Sequence, residues 1–128
     1  MSQSTSDDDR RSAGAAPATY TQIDANIDQD SALAVDVWEG NLGWTGRFPE
    51  MYKAFYVDCP MGQPILKLLR YEPTRVVVGT AGVGPRRILW KGREIRAGVG
   101  AHLCVTQAHR SVKPARLLLR SCVEAAHG

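Results

Sequence analysis

The chain has 128 residues, 44% hydrophobic and 23% charged, a globular composition sized for one domain rather than two. Its net charge of +3 conceals a split: residues 1–63 carry four Lys/Arg against ten Asp/Glu, a net of −6, whereas residues 64–128 carry twelve against three, a net of +9. A charge asymmetry of this kind marks a surface that meets an anion. No run approaches the ~18 apolar residues that span a bilayer, and the N-terminus lacks the apolar region of a signal peptide. Three cysteines, an odd count, argue against a disulfide framework. The expectation is a cytoplasmic protein with no membrane partner.

Residues 1–18, rich in Ser, Asp, Ala, Gly and Pro, read as a disordered tail ahead of one domain at 19–128. Tyr20 to Ile23 reads as a short strand. Asp28 or Asp30 is placed to cap a helix running to about Asn41, with Leu33, Val37 and Trp38 on its inner face and Gly40 and Gly43 at its end. Pro49 fits the first turn of a second helix whose apolar side holds Met51, Tyr52, Phe55 and Tyr56. Trp38, Trp44, Trp90, Phe48 and Phe55 are expected in core and hinge packing. Three strands follow: Ile65–Tyr71, Arg75–Trp90 and Arg93–Thr106, the last two joined by a Lys91-Gly92 hairpin. In the last strand Ile95, Ala97, Val99, Ala101, Leu103 and Val105 alternate onto one face, which predicts a buried face. Gly98 and Gly100 opposite leave room for a ligand or for close packing. A final helix from about Pro114 carries Ala115, Leu118, Leu119, Cys122, Val123 and Ala126 as an apolar stripe.

The junction between that strand and that helix concentrates the chemistry. It reads Leu103-Cys104-Val105-Thr106-Gln107-Ala108-His109-Arg110-Ser111-Val112-Lys113-Pro114-Ala115. The first amides of a helix lack internal partners and sit at the positive end of its dipole. With Arg110 and Lys113 beside them, they form a candidate phosphate or pyrophosphate site.

The same segment resembles the acyl-CoA-binding signature of GNAT-type N-acyltransferases, in which an L-x-V strand end precedes R/Q-x-x-G-x-G/A. Here these are Leu103-Cys104-Val105 and Arg110-Ser111-Val112-Lys113-Pro114-Ala115. Upstream, Tyr56 to Pro64, Val77 to Gly82 and the hairpin Trp90 to Ile95 are similar to segments of one branch of that family. The resemblance implies an α+β fold with a mainly antiparallel mixed sheet and flanking helices, of which this chain resembles the N-terminal part, about half. The family's C-terminal strands and helix have no counterpart here, so the edge of the last strand is expected to be exposed and open to homodimer pairing.

The resemblance further implies acyl transfer, acetyl most simply, from acetyl-CoA or another acyl-CoA co-substrate to the amine of a small molecule or peptide. Backbone at Leu103, Cys104 and Val105 would pair with the pantetheine arm. The amides of Arg110, Ser111, Val112, Lys113, Pro114 and Ala115 would hold the pyrophosphate. Lys113 stands where the family has glycine. His102, which titrates near neutrality, is the candidate general base; Glu94 is expected to be solvated. His102, Cys104 and His109 lack the paired spacing of a metal site, so no metal is expected. One alternative, a nucleic-acid-binding module, rests on Arg86, Arg87, Lys91, Arg93 and Arg96 around the hairpin, although no aromatic residues are interleaved with them; another is an inactive partner domain that dimerises through the open strand edge.

Overall fold

The structure is a computed structural model describing residues 19–43 and 46–127; the expected disordered tail and Trp44 lie outside the described residues. Four strands form one sheet in the order of the chain: β1 (Tyr20–Asp24), β2 (Ile65–Tyr71), β3 (Val76–Trp90) and β4 (Arg93–Val105). Every neighbouring pair is antiparallel. Between β1 and β2 come α1 (Ser31–Trp38) and α2 (Phe48–Tyr52), which runs on as a π-helical turn at Lys53–Val57. After β4 a 3-10 turn at Gln107–His109 leads into α3 (Val112–His127).

The sheet separates two apolar layers. On one face α1, α2 and the π turn pack Ala34, Val37, Trp38, Phe48, Tyr52 and Tyr56 against Leu66, Leu68 and Cys104. On the other, Leu118 and Cys122 of α3 pack on Leu69, Ala81, Val83 and Val105. An eight-residue helix is too short to persist alone, so α1 is held by its buried face, above all the fully buried Trp38. It ends at Trp38 rather than near Asn41: Gly40 turns left-handed at φ 74° just beyond it. Asp30 precedes α1 but does not cap it. Its carboxylate accepts the Asn26 N–H at 2.8 Å and fixes the preceding turn instead. Pro49 does open α2, as its fixed φ favours.

Two expected apolar stripes are corrected. In β4 the alternation does not hold along the whole strand. Gly82 pairs with Ala101 and Thr80 with Cys104, so Ala81 faces both His102 and Leu103. His102 takes a left-handed φ of 57° at this bulge. The extra residue reverses the side-chain parity. Ala97, Val99 and Ala101 lie toward the α1 side, whereas Leu103 and Val105 lie toward α3. Ile95, Val99 and Leu103 are consequently exposed rather than core. In α3, which starts two residues earlier than expected, Pro114, Leu118 and Cys122 are buried, but Leu119 and Val123 are about half exposed. Leu33 and Trp90 are likewise exposed, and Ala34 takes the inward position on α1.

Candidate functional site

The site begins with the bulge, because the bulge decides which backbone groups point out of the sheet. Thr106 N–H donates to the Val78 carbonyl at 2.8 Å, toward β3. Alternation therefore turns the N–H and C=O groups of Val105 and Leu103 to the unpaired edge. Cys104 points its own groups inward and buries its thiol. Burial pushes the Cys104 thiol up from its ordinary range, which opposes a nucleophilic role.

A buried hydrogen-bonded chain holds the bulge. Trp38 Nε1–H donates to Thr80 Oγ1 at 2.9 Å, and the Thr80 hydroxyl donates to the His102 carbonyl at 2.8 Å. The His102 ring lies over the aromatic layer, 4.8 Å from Trp38 and 4.9 Å from Phe55 between centroids. Its Nδ1 is 2.8 Å from Tyr56 Oη. Burial lowers the His102 pKa, so the imidazole is neutral at pH 7. The same burial pushes the Tyr56 phenol well up, so it keeps its proton. Gly82 makes room for Tyr56: a Cβ there would fall 1.9 Å from Tyr56 Oη. Gly98 likewise serves close packing, since a Cβ there would meet Val83 at 2.8 Å, whereas Gly100 faces open space.

The turn after β4 is pinned from two sides. His109 Nδ1 lies 3.0 Å from Tyr20 Oη, with its ring 4.5 Å from that of Tyr71. On the other side the exposed Arg110 guanidinium reaches carbonyl oxygens. Its Nε donates to Val105 O at 3.0 Å, and Nη2 to Asn41 O at 3.0 Å and to Asn41 Oδ1 at 3.3 Å. Of the amides in Arg110–Ala115, that of Arg110 donates to Gln107 O and Pro114 has none. Ala115 lies deep enough in α3 for its N–H to join the helical ladder. Ser111, Val112 and Lys113, all exposed, carry the helix-start amides with no intrahelical partner. Lys113 occupies helical backbone, not the left-handed region where glycine would be required.

The exposed flank of α3 runs beside this edge. Ala126, on the same flank as Ala115, Leu119 and Val123, lies against Gly98 of β4, where a Cβ would be 3.8 Å from its own, so this flank looks past β4. A concavity of about 750 Å³ along them is lined by Val112, Ala115, Leu119, Val123, Arg116 and Arg120. An extended chain with an anionic end fits these parts: unpaired strand groups, an apolar flank, and free amides with Lys113 at the helix start. Glu94 is remote from the bulge and pairs with Arg87 at 3.2 Å on the surface. Among the described residues no three His, Cys, Asp or Glu side chains converge as a metal site would require, and no helix is long and apolar enough to cross a membrane.

No protein-family profile matches the sequence, and no curated protein resembles it. Solved structures do. A GNAT family acetyltransferase from Staphylococcus aureus superposes with a TM-score of 0.59 at 13% identity, over 86% of this chain and 79% of that one. Glucosamine-6-phosphate N-acetyltransferase from Arabidopsis thaliana gives 0.58 at 12%, over 84% and 74%. An acetyltransferase from Trypanosoma brucei gives 0.56 at 15%, over 84% and 75%. The fold is GNAT-like, and the match extends over about three quarters of these neighbours rather than half.

The sequence missed Thr80, Trp38 and Tyr56 as supports of the bulge, and Asn41 as the partner of Arg110. Tyr56 and Thr80 lie in segments similar to the family's, but those segments do not reveal this role, because the partners are 22 to 69 residues away.

Proposed function

We propose that this chain transfers an acyl group, acetyl in the simplest case, from acyl-CoA to an amine of a small molecule or peptide. One observation carries the reading. In a GNAT-like fold, the outward backbone groups of Leu103 and the outward N–H of Val105 lead within one short turn to the free amides of Ser111, Val112 and Lys113. The strand edge suits the amide-bearing arm of the donor. The helix start and the Lys113 ammonium suit its pyrophosphate. The Val105 N–H is the group best aimed to polarise a carbonyl lying along the edge. The acyl donor supplies the activated carbonyl; the chain's part is to hold it and to take a proton from the attacking ammonium.

For that proton we propose His102. Its lowered pKa keeps it neutral and able to accept. Acceptance at Nε2 requires the tautomer in which Nδ1–H faces Tyr56 Oη, so Tyr56 acts as the orienting partner. Three free thiols, Cys59, Cys104 and Cys122, suit a reducing compartment, and we propose the cytoplasm.

Calorimetric titration with acetyl-CoA tests the donor site. The expected outcome is one-site binding that Lys113→Glu weakens by about tenfold or more, less so as salt rises. Absence of binding by the folded chain would refute the reading. The open β4 edge favours one alternative, pairing with a second copy. Both uses need the same N–H and C=O groups. A dimer on sizing chromatography that acetyl-CoA leaves intact would therefore count against the donor site.

A further inference from the structure

We infer that Asn41 and Arg110 form a brace that positions the turn between β4 and α3, and that Arg110 supplies this brace rather than a charge on the bound anion. The inference rests on the donor site proposed above and assigns it a part that no motif reveals. Arg110 directs Nε and Nη2 to protein carbonyls: Nε to Val105 O, and Nη2 to both the main-chain and side-chain oxygens of Asn41. The Asn41 side-chain oxygen also accepts the Gln107 N–H at 3.1 Å. Its amide nitrogen donates back to Val37 O at 2.9 Å and Glu39 O at 3.2 Å. One asparagine thus joins the end of α1 to both ends of the turn. Val37, to which it is tied, lies in the core.

The geometry selects arginine for its planar fork. One guanidinium spans two chain segments by holding donors at fixed angles, which a lysine ammonium cannot do. Here the Nε and Nη2 side of the fork faces three carbonyl oxygens. Arg110 Nε also takes the outward carbonyl of Val105. That leaves the Val105 N–H and the Leu103 groups for an extended ligand. Asn41 and Arg110 are accordingly positioning residues for the free amides at Ser111, Val112 and Lys113.

The test is a set of variants, Asn41→Ala, Arg110→Met, Arg110→Lys and the double Asn41→Ala/Arg110→Met, titrated with acetyl-CoA at several salt concentrations. Amide hydrogen exchange at Gln107 is followed on the same proteins without ligand. Each single variant, Arg110→Lys included, is expected to weaken binding by about tenfold, the size of a lost hydrogen bond to a charged group. The double variant is expected to be little worse than either single one, and the salt dependence should match wild type. Gln107 exchange should quicken in every variant. The inference is overturned if Arg110→Lys keeps full affinity, or if Arg110→Met flattens the salt dependence while Asn41→Ala binds as wild type. If the wild type does not bind acetyl-CoA, the donor site falls, and Gln107 exchange alone decides the brace. Faster exchange in both Asn41→Ala and Arg110→Met upholds it, and unchanged exchange refutes it.

Discussion

Replacing Thr80 by valine would remove one hydroxyl and leave the volume of the side chain almost unchanged. In the fold that hydroxyl is both acceptor and donor, receiving Trp38 Nε1–H at 2.9 Å and giving its own proton to the His102 carbonyl at 2.8 Å. Thr80 and Trp38 are fully buried, so water cannot readily replace the lost partner at the indole. A buried donor or acceptor left without a partner costs about 1–3 kcal/mol. The buried indole alone puts Thr80→Val at about 1–3 kcal/mol, and the part-buried His102 carbonyl adds to this, a sizeable share of the about 5–15 kcal/mol typical of a domain. Thr80→Ser keeps the hydroxyl and removes one methyl, which costs about 1 kcal/mol. Chemical denaturation followed by circular dichroism gives both values. The valine variant should unfold at clearly lower denaturant than the serine variant, with an unchanged slope. Equal losses for Val and Ser would refute the network and leave packing alone to hold the bulge.

Gly82→Ala would drive a methyl to 1.9 Å from Tyr56 Oη. It should cost about 1–3 kcal/mol through overpacking, and adding Tyr56→Phe should recover part of that loss in the same denaturation assay. The His102 pKa is lowered in the fold, so between that value and its ordinary 6.5 the unfolded chain binds more protons. Its contribution to stability is therefore complete above pH 6.5 and lost as pH falls through the lowered folded value. Denaturation at pH 7.5 and at pH 5.5 should show a drop that is smaller in His102→Gln, and equal drops in the two proteins would contradict the assignment.

Legibility in the sequence followed the range of the interactions. The hairpin was readable because two residues set it: Lys91 and Gly92 both take positive φ, 50° and 75°, as a two-residue turn of primed type requires. The strand–turn–helix junction at 103–115 was readable because its chemistry is contiguous, and the limits of β2, β3 and β4 came within one residue. The bulge was not readable. Its cause is a buried threonine on β3, a tryptophan on α1 and a tyrosine on the π turn, and no window of β4 contains any of them. A strict alternation of apolar residues looked like one buried face, yet one left-handed histidine divides it between two faces. Arg110 was legible as a cation in the turn between β4 and α3; that its fork would close on Asn41, 69 residues earlier, was not.

These long-range ties converge on the end of α1. Trp38 reaches Thr80 and hence the His102 carbonyl, while Asn41, three residues on, reaches Gln107 and Arg110. One tie fixes where strand parity reverses, so that Leu103 and Val105 present their backbone outward. The other fixes the turn that presents Ser111, Val112 and Lys113. A strand edge and a helix start can serve a single extended ligand only if the distance and angle between them stay constant. The chain joining them, Thr106 to Arg110, is too short and too exposed to ensure that alone. Buried packing of α1 against the sheet supplies the common reference, since its end touches the bulge on one side and the turn on the other. A loosened α1 would therefore uncouple the strand edge from the helix start before it unfolded either.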